Sequence, residues 1–356
     1  MSDMKKIGFG RLGLAFAGSF LGAGYVSGQE LWQFFGCFGI KGMAGLFIAV
    51  FLLFIVGVML LRLNRLTGYA DTDRLVVSRN IPALRISVTV LETVYLFGMV
   101  VIMTAGVGAL VNQLFALPQW IIALAFAIIT AAVSLGGFSG MVNAFSVTVP
   151  VLAAVALGFG IICTVQNGVC LPEAGSTGTN PLLASWKIAA VTFACFNIFG
   201  SIPIVAPLGE HIRSDVHCIG GIALGSLILF LIAAGVLLSV GAYPAVTGAE
   251  LPMLALASGI SPYLGYVYAL LLLLAMFGTA LSSLVAFTNL LCLKSERLSK
   301  NRAPFVVLTS VLAFFGSLFG FGELIGVIYP VFGYLSSVFI VLLAIHYFKL
   351  RRKGRA

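Results

Sequence analysis

The sequence predicts an all-α polytopic membrane protein with ten transmembrane helices, and three observations carry that expectation. Apolar residues make up 61% of the 356 and charged residues only 9%, against about 45–50% and about 25% in ordinary globular domains. Eleven acidic and 20 basic side chains cannot give a 37.5 kDa protein a polar surface, in keeping with its mean hydropathy of +1.14. A soluble enzyme, a disordered chain and a disulfide-stapled secreted domain are thereby excluded. Second, apolar runs recur at the ~20 residues that a helix needs to cross hydrocarbon. Third, the basic residues gather on alternate connections between those runs.

The apolar segments cover about 9–38, 42–62, 83–112, 119–136, 138–165, 185–210, 216–241, 262–292, 304–320 and 323–348. Each is expected as helix, because an open strand edge in lipid leaves backbone groups without partners. If the N-terminus is cytoplasmic, 18 of the 20 basic residues lie inside. These are Lys5, Lys6 and Arg11; Arg62, Arg65, Arg74, Arg79 and Arg85; Arg213; Lys294, Arg297, Lys300 and Arg302; and Lys349, Arg351, Arg352, Lys353 and Arg355. Lys41 and Lys187 remain outside. This partition supports both the count and cytoplasmic termini, and it accounts for the net charge of +9 without nucleic acid. Met1–Arg11 is basic and runs into an apolar stretch too long for a cleavable signal. The six cysteines (Cys37, Cys163, Cys170, Cys195, Cys218, Cys292) lack metal-binding or disulfide spacing.

Segment 1 is the first irregular element. Gly18, Gly22, Gly24 and Gly28 precede Gln29 and Glu30 in the middle of an apolar run. Segment 6 carries Asn197, Gly200, Ser201, Pro203 and Pro207. Glycine costs a helix about 1 kcal/mol and proline about 3, so both segments are expected to be interrupted and to line a cavity. Close packing through small-xxx-small spacing explains the glycines but leaves Gln29 and Glu30 without a reason. Gly24 and Gly200 stand near the start of two five-helix blocks, 1–165 and 185–356, joined by an outer loop at 166–184. Five is odd, so the second block is inverted relative to the first, the arrangement of a secondary transporter with a midplane site. A further outer loop at 242–261 contains Thr247 and Glu250 at capping-box spacing. It is expected to open a short helix that is either a lid or packed on the outer surface.

Two acids lie at membrane depth. A carboxylate there costs a few kcal/mol and by default faces a cavity or the protein interior. Glu30 follows the first expected break, as a partner for a substrate ammonium, an outer gate, a proton acceptor or a charge at the outer mouth. Glu92 lies one turn before Tyr95 in segment 3, as a substrate-site acid or a structural partner of Arg85. Phe193, Asn197 and Phe199, with Phe196 beside them, are further candidates for the pocket wall. In segment 8, Thr279, Ser282 and Ser283 share one helix face. They offer oxygens to a hard cation, or bond back to their own helix.

The run GSFLGAGYVSGQE, from Gly18 to Glu30, with segments 6 and 8, resembles the LeuT fold of the amino acid–polyamine–organocation superfamily. More narrowly it is similar to the YkvI group of bacterial membrane proteins, relatives of the sodium:neurotransmitter symporters. The resemblance implies alternating-access transport of an amino acid, amine or similar solute across the bacterial cytoplasmic membrane. The implied substrate site takes in Gly22, Gly24, Tyr25, Glu30, Glu92, Tyr95, Phe193, Asn197 and Phe199. It also implies a coupling sodium ion at the carbonyls of Gly18, Leu21 and Thr279 and the hydroxyls of Ser282 and Ser283, and no other cofactor. The second sodium site of those symporters uses an asparagine where this chain has Tyr25, which is a departure from the pattern. The alternatives are a proton-coupled carrier, a channel or a membrane sensor on the same scaffold. An enzyme is not expected, since His211, His217 and His346 are isolated. Substrate identity and oligomeric state are left open by the sequence.

Overall fold

A computed structural model describes residues 7–69, 71–77, 81–136, 141–170, 179–212 and 214–352, with backbone only at 141–150, 152 and 297. Lys5, Lys6, Arg79, Arg213, Lys353, Arg355 and the middle of the 166–184 loop lie outside the described residues.

The described chain is helical nearly throughout. Segment 1 is divided into α1 (Phe9–Phe20), α2 (Ala23–Ser27) and α3 (Gln29–Phe34). There follow α4 (Ile40–Thr67), the short α5 (Thr72–Val76), α6 (Pro82–Phe115), α7 (Gln119–Leu135) and α8 (Met141–Asn167). The second half comprises α9 (Trp186–Val205), α10 (Asp215–Ala242), α11 (Pro252–Ile260), α12 (Pro262–Cys292), α13 (Glu296–Lys300), α14 (Arg302–Ser317) and α15 (Phe321–Arg352). Among the described residues six helices are long and apolar enough to cross a membrane, and three shorter apolar helices accompany them. Large apolar side chains stay exposed along them, as at Phe47, Phe51, Ile128 and Leu270. This is an integral membrane protein, whose outward face meets lipid.

Helix pairs from opposite halves hold the bundle together, α1 on α10, α6 on α12 and α4 on both α9 and α10, and within the second half α15 packs on α9. Glycine permits the first of these contacts. A Cβ on Gly225 would stand 2.7 Å from the Gly13 carbonyl oxygen, and one on Gly13 would stand 3.0 Å from that of Gly221. With no side chain between them, the two backbones approach closely enough for dispersion to hold them in the absence of a hydrophobic driving force.

The chain leaves helical geometry after Phe20. Leu21 (φ −77°, ψ 65°) and Gly22 (φ −78°, ψ 172°) are non-helical, and Gly28 adopts a left-handed conformation (φ 86°) between α2 and α3. The Gly22 N–H turns to the Phe20 carbonyl at 2.8 Å, in place of the Gly18 carbonyl that a continuous helix would use.

Segment 6 differs from its expectation. α9 runs unbroken through Asn197, Gly200 and Pro203 to Val205, and only then tightens into a 3-10 turn over Ala206–His211. The physical reason lies at Gly200, where a Cβ would stand 2.0 Å from the Tyr95 hydroxyl. Glycine there is a notch that admits a neighbouring ring within a continuous helix. The capping box is corrected as well. Thr247 closes the preceding turn by donating to the Pro244 carbonyl at 2.8 Å, while Glu250 accepts from the Phe321 N–H at 2.9 Å and from Gln119 at 3.2 Å. The short outer helix begins instead at Pro252, which is suited to a first-turn position without an N–H partner.

Candidate functional site

The site grows from the turn at Gly28. The left-handed Gly28 separates two short helices, and Glu30, second in α3, points inward with only 4% exposure. Room for its carboxylate is made by Gly24, where a Cβ would stand 2.8 Å from Glu30 Oε2 and 3.3 Å from the Tyr329 hydroxyl. From α9, Asn197 donates through Nδ2 to Glu30 Oε1 at 3.2 Å and to the Phe193 carbonyl at 3.0 Å. One amide thus links the carboxylate to the backbone of the helix opposite.

Aromatic rings close the surroundings. The Phe193 ring lies against Tyr25, Phe34 and Phe35. Phe196 stacks on Tyr329 with centroids 4.1 Å apart, and Tyr95 packs between Phe196, Phe199 and Phe332. Two hydroxyls pin the short α2 from either side. Tyr25 donates to the Leu229 carbonyl on α10 at 2.7 Å, and Tyr268 of α12 donates to the Val26 carbonyl at 2.5 Å. Met253 of α11 lies against Gly28. A cavity of about 240 Å³ lined by Gln29, Glu250 and Glu323 reaches to the residue preceding Glu30.

The electrostatics of Glu30 set the chemistry. Every ion pair among the described residues lies elsewhere, on Asp71, Asp73 or Asp215. A buried ion costs several kcal/mol, and one hydrogen bond to a charged group returns only about 1.5–3 kcal/mol. No basic side chain among the described residues offsets that cost at Glu30.

The expected residues separate into three groups. Gly24, Tyr25, Glu30, Tyr95, Phe193, Asn197 and Phe199 converge here, with Gly22 at the break that begins α2. Glu92 does not join them: its Oε1 accepts from Thr72 on α5 at 3.2 Å, so its carboxylate faces that short helix, in line with the structural alternative but with Thr72 as the partner and Arg85 paired to Asp73. The third group is the expected cation site. Thr279 donates to the Ala275 carbonyl at 2.9 Å, Ser282 is exposed and donates to the Thr279 carbonyl at 3.1 Å, and Ser283 is buried. Gly18 and Leu21 sit where α1 packs mainly on α10, while α12 packs mainly on α6 and α11. The residue types suit a hard cation.

Sequence reasoning missed Tyr329 and Tyr268. Tyr329 carried a usable signal, a phenol immediately before Pro330 inside an apolar helix; Tyr268 carried none.

No protein-family model matches the chain. Two proteins of Bacillus subtilis (strain 168) align along nearly all of it. YyaD is 26% identical over 345 residues, covering 94% of this chain and 95% of its own. The membrane protein YkvI is 24% identical over 344 residues, covering 95% and 96%. Among solved structures, Mhp1 in an inward-facing conformation superposes with a TM-score of 0.65 at 18% identity, over 98% of this chain and 78% of that one. MhsT in complex with L-phenylalanine gives 0.62 at 18% identity, over 93% and 88%. A manganese transporter of Eremococcus coleocola gives 0.54 at 13% identity, over 95% and 76%. The chain is a distant homologue of the YkvI membrane protein, built on the LeuT-type fold that it shares with Mhp1, MhsT and the manganese transporter.

Proposed function

We propose that this protein is a secondary active transporter, with ten spans in two inverted five-helix repeats and both termini cytoplasmic. It carries a small amine-bearing solute, an amino acid or an amine, by alternating access. The observation that carries the reading is Glu30: a buried carboxylate, without a basic partner among the described residues, set at a double interruption of the first apolar segment. An ammonium group satisfies it, and the surrounding rings give apolar contact to the rest of the solute. With five and six residues, α2 and α3 align few peptide dipoles, so their attraction for a substrate carboxylate is secondary to that of Glu30 for a cation. The likeness to proteins named as transporters supports the class of activity. Fold alone does not fix substrate.

Sodium is proposed as the coupling ion, at the carbonyls of Gly18, Leu21 and Thr279 and the hydroxyls of Ser282 and Ser283, formed when α1 and α12 draw together. A proton is the second reading, favoured by a specific observation: Glu30 is buried without an ion-pair partner among the described residues. A thermal-stability screen of amino acids and amines in detergent, with and without sodium, tests the reading. Wild type is expected to be stabilised by at least one amine-bearing solute and Glu30→Gln by none. Equal stabilisation of both proteins would remove Glu30 from the substrate site.

A further inference from the structure

Away from Glu30, a cavity of about 350 Å³ opens where three helix ends meet. Arg62, Arg65 and Leu66 come from the C-terminal turns of α4, Asp215 from the first turn of α10, and Tyr347 and Arg351 from the last turns of α15. Tyr347 and Arg351 are four residues apart and share a helix face.

The charges do not balance. Arg62 donates to Asp215 Oδ2 at 3.0 Å and to the Tyr347 hydroxyl at 3.4 Å, and Arg65 donates to Asp215 Oδ1. Both oxygens of the single carboxylate are therefore engaged. Three guanidinium groups against one carboxylate leave two positive charges on the wall. Nε of Arg62 is buried without a hydrogen-bond partner, and Arg351 has no ion pair among the described residues. Guanidinium groups gathered round one cavity repel one another unless an anion joins them. Their planar forks match the oxygens of a phosphate.

The rim identifies the source of that phosphate. Leu66 lines the cavity and is exposed, and Val216 and Phe348, next in sequence to Asp215 and Tyr347, are exposed by 78% and 48%. Basic groups beside uncovered apolar side chains, at the ends of membrane helices, are placed at headgroup level. We infer that this cavity binds the phosphate of an anionic phospholipid, with Arg62, Arg65 and Arg351 as donors and Asp215 holding the first two in position. The acyl chains then lie along the apolar rim. This inference does not depend on the transport reading.

The test uses the full chain, delipidated in detergent, and follows thermal unfolding as phosphatidylglycerol, phosphatidylcholine or inorganic phosphate is added. Native mass spectrometry counts bound lipid in parallel. Phosphatidylglycerol is expected to raise the unfolding temperature and to be retained at one molecule per chain, with phosphatidylcholine giving neither effect. Arg351→Gln leaves the pairs on Asp215 intact, so the fold is kept, and about fivefold more lipid should be needed for half of the shift. Lys349→Gln, on the same helix end but outside the cavity, should change that concentration less than twofold. Equal weakening by Lys349→Gln would reduce the effect to diffuse charge and overturn the site. A full shift from inorganic phosphate, with nothing added by phosphatidylglycerol, would overturn the lipid assignment. No shift and no retained lipid would overturn both.

Discussion

Adding one methyl group at Gly24 tests the architecture of the site without touching its polar groups. A Cβ there would stand 2.8 Å from Glu30 Oε2 and 3.3 Å from the Tyr329 hydroxyl, both buried, so the carboxylate must move by several tenths of an ångström. Its bond from Asn197 is already 3.2 Å long and lengthens further. A hydrogen bond to a charged group contributes about 1.5–3 kcal/mol, and about 1.4 kcal/mol is a factor of ten. A substrate ammonium must meet the displaced carboxylate, and loss of one such bond to the substrate should weaken its binding about ten- to hundredfold in Gly24→Ala. Stability should change much less, because overpacking costs about 1–3 kcal/mol while alanine returns about 1 kcal/mol of helix propensity. Gly10→Ala is the control: it lies in α1 with nothing within 4 Å of the added atom, so it gains the propensity alone. The assay is affinity from ligand-dependent thermal stability, read beside the unfolding temperature without ligand. Unchanged affinity in a well-folded Gly24→Ala protein would refute the placement of the Glu30 carboxylate against Gly24.

Four further outcomes are expected. Glu30→Gln should raise the unfolding temperature in the absence of substrate, because it removes the cost of burying or neutralising a carboxylate while keeping an acceptor for Asn197; a large fall would mean that the carboxylate is structural. Gly200→Ala should destabilise by about 1–3 kcal/mol through overpacking against Tyr95, and Tyr95→Phe should recover part of that loss, as a denaturation double-mutant cycle will measure. Ser282→Ala with Ser283→Ala should abolish any sodium-dependent rise in unfolding temperature, since an ion that binds the folded state stabilises by mass action; a retained rise would place the ion elsewhere. Reporter fusions at Gly175 and Lys353, both outside the described residues, should report opposite sides of the membrane, and the same side for both would sink the inverted repeat.

Much of the fold was legible because lipid imposes a simple rule on sequence. Long apolar runs, with the basic residues sorted between them, leave little choice but helices, and α4, α6, α10, α12 and α15 lie on the runs read for them. Polar groups at depth were legible for the same reason, which is why Glu30 and Asn197 stood out singly. Their pairing did not, since it joins residues 167 positions apart and depends on how α3 meets α9. Gly200 shows the limit of composition. Glycine near proline in an apolar run reads as a break, but here it fits the Tyr95 ring while the helix continues, and only tertiary packing distinguishes the two. Glu92 shows the limit of position. It was placed by its proximity to Tyr95 along α6, but a turn along the axis changes the neighbours a side chain meets, and at its own level Glu92 meets Thr72 of α5. Tyr329 and Tyr268 were hidden by abundance, among 10 tyrosines and 29 phenylalanines, and their partners, the Phe196 ring and the Val26 carbonyl, lie on other helices.

The central claim is that Glu30 supplies the charge to which movement of a cationic solute is coupled. Uptake into proteoliposomes tests it most directly, using a solute that stabilises the wild type and an imposed sodium or proton gradient, with wild type and Glu30→Gln side by side. Gradient-driven accumulation by the wild type, abolished in a folded and correctly inserted Glu30→Gln protein, is the expected result. Accumulation at the same rate, with the same dependence on the gradient, in the Glu30→Gln protein would contradict the account.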